Sequence, residues 1–279
     1  DEGIRGKAIR VTGDDVLEVK SIGAYEREQP WSASVWIRPA EIVARANILS
    51  RGKGADDSAA MGYELLRLDG KPTASLAHFW PGNAIRVQAT ESLKAGIWTH
   101  LGVTYDGSSR ASGLKLFVNG EEMETTIVQD SLTRTISTFR NLKADEQLGL
   151  VLGQRYREAG FRNGLIDEFQ FWSREISALE MVQVYDAETA IGEASQAQLK
   201  AHFVQCVFPP AREARQELQK ARQGWNAAMD EVPAISVMRE FATPRKAYVL
   251  ERGAYNQHGP EVTATTPKLM STRTRRWWS

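Results

Sequence analysis

Short apolar–polar alternations run from Ala8 to Trp172 and are cut by turn residues every few positions. Ala8–Val11 and Val16–Val19 flank Thr12-Gly13-Asp14-Asp15. Ser32–Arg38 alternates small and apolar residues up to Pro39, and Asn47–Arg51 leads into a Gly-rich acidic loop with Asp56-Asp57. Tyr63–Leu68, Ser75–Trp80 and Ala84–Ala89 are joined by Asp69-Gly70 and Pro81-Gly82-Asn83. In Trp98–Tyr105 the side chains of Thr99, Leu101, Val103 and Tyr105 share one face. Leu114–Val118 runs into Asn119-Gly120, the strongest two-residue hairpin signal. Leu148–Leu152 and Leu165–Phe171 complete the strands. Many short strands at this spacing predict an all-β sandwich or barrel. In the last strand strict alternation places Asp167 with Leu165, Phe169 and Phe171 on the core side, where a carboxylate needs a cation, a metal or several N–H donors.

The period then changes from two to three and four. Ser177-Ala178-Leu179-Glu180 reads as a capping box, with a helix to about Asp186. Gln196–Val207 reads as a helix stopped by Pro209-Pro210. From Ala211 the residues Ala214, Leu218, Ala221, Trp225 and Ala228 form one helical stripe, expected to lie against the sandwich or against a neighbouring domain. Ile235–Arg239 and Ala247–Leu250 are strand-like, and His258-Gly259-Pro260 is turn-rich. The predicted organisation is a sandwich over residues 1–190, a helical linker over 191–231, an extended arm over 232–270 and a disordered basic-aromatic tail over 271–279.

Composition narrows the function. Lys+Arg and Asp+Glu are both 35, which leaves no basic footprint for nucleic acid. No apolar run reaches the ~20 residues of a membrane span. Cys206 is the only cysteine, so no intrachain disulfide or thiolate cluster forms; its apolar helical setting reads as structural burial. The four histidines are scattered without an evident ligand pair. The chain starts at Asp1 in mid-pattern and reads as an internal fragment or processed product.

Four segments carry a family resemblance: Ser32–Pro39, Trp98–Gly107, Leu114–Glu121 and Gly164–Phe169. In order and spacing they resemble a laminin-G-like domain of the concanavalin A-like lectin/glucanase superfamily, over roughly residues 1–188. The resemblance implies a jelly-roll sandwich of two antiparallel sheets. Val237–Glu240, Pro244–Tyr255 and Gly259–Val262 resemble a junction in planctomycete multidomain surface proteins that combine cytochrome-c-like domains with domains of unknown function. That likeness implies an extracytoplasmic location and neighbouring domains of a larger chain. Haem attachment needs Cys-x-x-Cys-His, which is absent.

Sugar hydrolysis needs two carboxylates facing one site. Glucanases of this superfamily carry Glu-x-Asp-x-Glu, whereas here Asp167 and Glu168 are adjacent and no such motif occurs. The expected role is therefore non-catalytic binding of a polysaccharide or glycoprotein, with a structural spacer as the alternative and a glycoside hydrolase behind both. Trp80 with Asn83 and Arg86, and Tyr156, Arg157 and Asn163 beside Phe161 and Arg162, are the candidate ligand residues, since sugar sites join an aromatic platform to planar polar groups. Calcium is the candidate cofactor, because this superfamily often carries it; Asp167, Asp14 and Asp15 are its candidate ligands.

Overall fold

The computed structural model describes residues 1–13, 17–20, 22–54, 60–137, 149–154, 160–186, 188, 194–233, 235, 246–253 and 257–263. The predicted alternations form strands β1 (Ile9–Val11), β2 (Leu17–Val19), β3 (Trp31–Arg38), β4 (Arg45–Lys53), β5 (Met61–Leu68), β6 (Lys71–Phe79) and β7 (Asn83–Ala89). They continue as β8 (Thr99–Tyr105) and β9 (Leu114–Val118); β10 (Glu121–Glu122) and β11 (Thr125–Asp130) follow, which the alternation did not predict, and then the predicted β12 (Leu150–Leu152) and β13 (Gly164–Trp172). One sheet has the order β1-β13-β3-β8-β9-β10, the other β11-β7-β6-β5-β4-β12-β2. Neighbouring strands in both are antiparallel. This is the expected jelly-roll sandwich.

The core follows the period of two. Trp31, Val35, Ile37, Leu101, Val103 and Tyr105 of the six-stranded sheet meet Tyr63, Leu65, Leu76, Ile85 and Val87 of the seven-stranded one, all buried. Trp31 is the hub: its ring centroid lies 4.8 Å from that of Tyr63 and 5.7 Å from that of Phe171, the latter stacked. Hairpin turns take the conformation their residues favour. Asp69-Gly70 and Asn119-Gly120 have φ of 51° and 80°, and 51° and 83°.

The last strand departs from strict alternation. A β-bulge between Asp167 and Gln170, with Glu168 at φ 47°, inserts a residue and flips the phase. Ile166 enters the core before the bulge, and Phe169 and Phe171 pack on it afterwards. Asp167 thus shares no face with the two Phe residues; it is half-buried under the N-terminal turn. Its Oδ2 accepts from the Ile4 and Arg5 N–H groups at 2.8 and 3.2 Å, and Oδ1 from Glu168 N–H at 2.9 Å. Gly3 permits this approach, since a Cβ there would collide with Oδ2. Asp167→Ala is expected to cost about 1–3 kcal/mol, as hydrogen bonds to a charged group are lost. Urea unfolding checks this, and a change under about 0.5 kcal/mol would contradict it.

Helix α1 (Ala178–Tyr185) starts at the predicted capping box: Ser177 Oγ accepts from Glu180 N–H at 3.2 Å, and Ser177 N–H donates to Glu180 Oε2 at 2.7 Å. It covers the outer face of the six-stranded sheet, where Met181 packs with Phe117 and Ile176. Gly102 makes room, because a Cβ there would sit 2.5 Å from Met181 Sδ. Helix α2 (Gln196–His202) continues as a π-helical turn over Phe203–Val207. Pro209-Pro210 does end it, but the same prolines open α3 (Pro209–Glu231) at its first positions, where no N–H is needed.

The apolar stripe of α3 is not its docked face. Ala214, Leu218, Ala221, Trp225 and Ala228 are all exposed, Trp225 at 67%. The helix instead lays a polar edge on the sandwich. Asn226 Nδ2 donates to Glu28 Oε2 at 2.9 Å, Arg222 Nη1 to Asp106 O at 3.1 Å, and Arg134 to Met229 O. Buried Arg27 faces Asp230 at 3.7 Å. Directed hydrogen bonds at a polar edge win over the non-directional stripe.

The chain divides into two compact units, 1–232 and 233–279. In the second, β14 (Ala247–Leu250) pairs with β15 (His258–Val262), so His258-Gly259-Pro260 is strand rather than turn; Pro260 is accommodated because this is a two-stranded ribbon with open edges. Tyr248 stacks on His258 at 4.6 Å. The strand predicted over 235–239 and the 271–279 tail fall mainly or wholly outside the described residues.

Candidate functional site

Helix α1 covers the outer face of the six-stranded sheet, and the candidate site lies on the outer face of the seven-stranded one. Period two sends Glu64, Ser75 and Arg86 to that face, opposite core residues Leu65, Leu76 and Ile85. They line a cavity of about 240 Å³ together with Trp80, Ser50, Gln154, Glu18 and Lys53.

An ion cluster forms the floor. Glu64 is 5% and Arg86 3% exposed. Arg86 Nη2 donates to Glu64 Oε1 at 3.1 Å, and Arg45 Nη2 donates to Oε1 and Oε2 at 3.1 and 2.9 Å. The guanidinium carbon of Arg86 then lies 3.5 Å from the centre of the Trp80 ring, a cation–π stack. Glu64 thereby sets Arg86, and Arg86 sets a half-buried indole at the cavity wall. Beside these sit hydroxyl and amide groups suited to sugar hydroxyls: Ser50, Ser75 and Gln154. Glu18 is engaged by Gly149 N–H at 2.6 Å.

Of the six ligand residues expected from sequence, the structure brings Trp80 and Arg86 together here. Asn83 lies near in sequence but lines no part of the cavity. Its Oδ1 accepts from Thr133 and Arg134 N–H at 2.9 and 3.2 Å, and its Nδ2 donates to Thr133 Oγ1 at 2.7 Å. The amide holds a loop. Asn163 is exposed in the turn before β13, at φ 52°, and does not line the cavity. Its neighbour Phe161 is 1% exposed and belongs to the core, near the buried guanidinium of Arg67. Tyr156 and Arg157 lie outside the described residues, as do Asp14, Asp15 and the Asp56-Asp57 pair.

Asp167 lines no part of this cavity, and among the described residues it joins no group of three or more metal-ligating side chains. Sequence reasoning missed Glu64, Ser50, Ser75 and Gln154. Glu64 carried no local signal: it lies on β5, and Arg86 reaches it from β7 across β6.

No curated protein matches the chain. Among solved structures, the binding domain of Paraclostridial Mosquitocidal Protein 1 aligns at 14% identity and TM-score 0.48, over 67% of this chain and 45% of that one. This chain thus spans less than half of that relative's length. The Ruminococcus gnavus IT-sialidase CBM40 bound to alpha2,3 sialyllactose aligns at 15% identity and TM-score 0.47, over 64% and 96%. Domain 4 of AbnA, a GH43 extracellular arabinanase from Geobacillus stearothermophilus, in complex with arabinotriose, aligns at 17% and 0.41, over 67% and 80%. A laminin-G family model, described as the concanavalin A-like lectin/glucanases superfamily, matches residues 11–181. That match takes in both sheets and more than half of the 279 residues, so the chain belongs to this laminin-G family of concanavalin A-like lectin/glucanases.

Proposed function

We propose that the chain is a non-catalytic carbohydrate-binding module of a larger extracytoplasmic protein, with its sugar site on the outer face of the seven-stranded sheet. The observation that carries this reading is the Glu64–Arg86–Trp80 stack at a mainly apolar cavity that also holds hydroxyl and amide groups. An indole of fixed orientation offers a sugar ring an apolar platform at low entropic cost, and Ser50, Ser75 and Gln154 offer hydrogen bonds to its hydroxyls. At about 240 Å³ the cavity is smaller than the ~300–1,000 Å³ of drug-sized pockets, which suits one ring or a chain end.

The carboxylates support binding over hydrolysis. Both Glu64 oxygens accept from guanidinium groups, so Glu64 is committed to the arginines rather than turned to a substrate, and Glu18 Oε1 accepts from a backbone N–H. Polysaccharide or glycoprotein is the proposed partner. Placement outside the cell, and in the planctomycete multidomain context, rests on the sequence resemblance; among the described residues no helix is long and apolar enough to cross a membrane.

A glycan array and polysaccharide pulldown on the whole chain tests the proposal. Binding is expected, and Trp80→Ala should weaken it roughly 30-fold, the ~2 kcal/mol of a buried aromatic anchor. A folded chain that binds no glycan would overturn the reading and leave the spacer role. Running the screen with calcium and with chelator tests calcium separately, since loss with chelator alone would put the ion in or beneath the site.

A further inference from the structure

Beyond the sandwich, the helices bring together three side chains of metal-ligating type. Glu180 lies in the first turn of α1, His202 ends α2, and Cys206 follows within the π-helical turn 203–207. Such turns are rare and are frequent at functional sites. His202 and Cys206 are four apart, a spacing that sets them on one helical face toward Glu180. A carboxylate oxygen, a ring nitrogen and Sγ, one from each, all lie within 4.8 Å of one another, and the three residues are half-buried. Cys206 Sγ is 3.2 Å from Glu180 Oε2. On a tetrahedral zinc ion with bonds of ~2.3 Å to sulfur and ~2.0 Å to oxygen, those atoms would be about 3.5 Å apart. The pair already spans close to one tetrahedral edge.

We infer that Glu180, His202 and Cys206 form a three-ligand site for a borderline-soft divalent cation of the zinc type, clamping α1 to α2. Thiolate and imidazole select zinc or cobalt over calcium and magnesium, which prefer all-oxygen shells. On binding, the S–H proton that now bridges Cys206 to Glu180 leaves to solvent, and Sγ and Oε2 close on the ion instead. Outer partners for the ligands are in place: Glu180 Oε1 accepts from Arg174 Nη2 at 2.6 Å, Oε2 from Arg174 Nη1 at 3.1 Å and from Ser177 N–H at 2.7 Å, and Ser177 Oγ lies 2.8 Å from His202 Nδ1. The positive charge of Arg174 opposes a cation, and the cavity sets Glu28, Asp106, Glu175 and Glu180 against Arg174, Arg212, Arg215 and Arg222, so the ionised Cys206 thiolate supplies its net negative charge. That cavity, about 600 Å³, leaves room for a water as fourth ligand. The family match stops at residue 181, so two of the three ligands lie in this chain's helical extension, and the site is independent of the sugar-binding proposal.

Titration of the reduced whole chain with Co²⁺, followed by Zn²⁺ competition, tests the inference. One equivalent is expected to bind, with a thiolate-to-cobalt charge-transfer absorption that Cys206→Ser abolishes. His202→Gln and Glu180→Gln should each raise the Kd at least ~10-fold, the lower end of what loss of even an outer partner costs; Gln at 180 keeps the capping box. The wild-type spectrum decides the matter whether or not a variant folds. A folded, reduced wild type without the absorption, or binding that Cys206→Ser leaves unchanged, would overturn the site.

Discussion

Glu64→Leu is expected to destabilise the chain by about 3–5 kcal/mol, a large part of the ~5–15 kcal/mol that holds a typical domain. The substitution removes a buried carboxylate to which Arg45 and Arg86 both donate, on the floor of the cavity. Arg86 is 3% exposed and cannot turn to water for its lost partner without opening the sheet, whereas Arg45, whose side chain is 20% exposed, has a route to solvent. Most of the cost therefore lies with Arg86. A double-mutant cycle separates the parts: Glu64→Leu with Arg86→Met should recover much of the loss, since an apolar pair removes the buried guanidinium together with its carboxylate. The cycle is read from urea unfolding midpoints at constant m-value. A Glu64→Leu change below about 1 kcal/mol would mean that the cluster is not a stabilising unit. The same variant should weaken glycan binding as Trp80→Ala does, because Arg86 fixes the indole through its 3.5 Å stack.

That coupling between stability and site explains what could be read from the sequence. Features set by residues close in the chain were legible. Asn119-Gly120 and Asp69-Gly70 form tight turns because they tolerate positive φ, and Ser177 and Glu180 cap α1 because the box is four residues long. The sandwich itself follows from period two. Features set by contacts far apart in sequence were not legible. The phase of β13 depends on a bulge at Glu168, stabilised where Asp167 meets the N–H groups of Ile4 and Arg5, more than 160 residues away. The exposed stripe of α3 depends on Asn226 finding Glu28, 198 positions earlier. At the candidate site, the aromatic Trp80 was visible as a hairpin-tip residue. Its partner Glu64 was not, because strand pairing alone places β5 beside β6, and β6 beside β7. Likewise, His202 and Cys206 looked unremarkable until α1 carried Glu180 to them.

His100 gives the chain a built-in acid sensitivity. It sits on the outer face of β8 with its ring 5.4 Å from that of Trp36 and 5.8 Å from that of Tyr185 on α1. The side chain is fully buried, and among the described residues neither ring nitrogen has a hydrogen-bond partner. Burial pushes its pKa down to about 4 from the ordinary 6.5. The unfolded chain therefore takes up a proton below pH 6.5 that the folded chain refuses until near pH 4. Proton uptake by the unfolded state favours unfolding, so this group costs nothing above pH 6.5 and progressively more as pH falls through that window. At pH 5 the loss is about 2 kcal/mol, from ~1.5 pH units at 1.36 kcal/mol each. His100→Phe should keep the aromatic stack and remove that loss, so its unfolding free energy should fall less between pH 7 and pH 5 than that of the wild type. The difference between the two profiles isolates His100 from the carboxylates, which both proteins share. Parallel profiles would mean that the imidazole finds water or a partner on protonation, and that α1 does not seal the outer face of the six-stranded sheet.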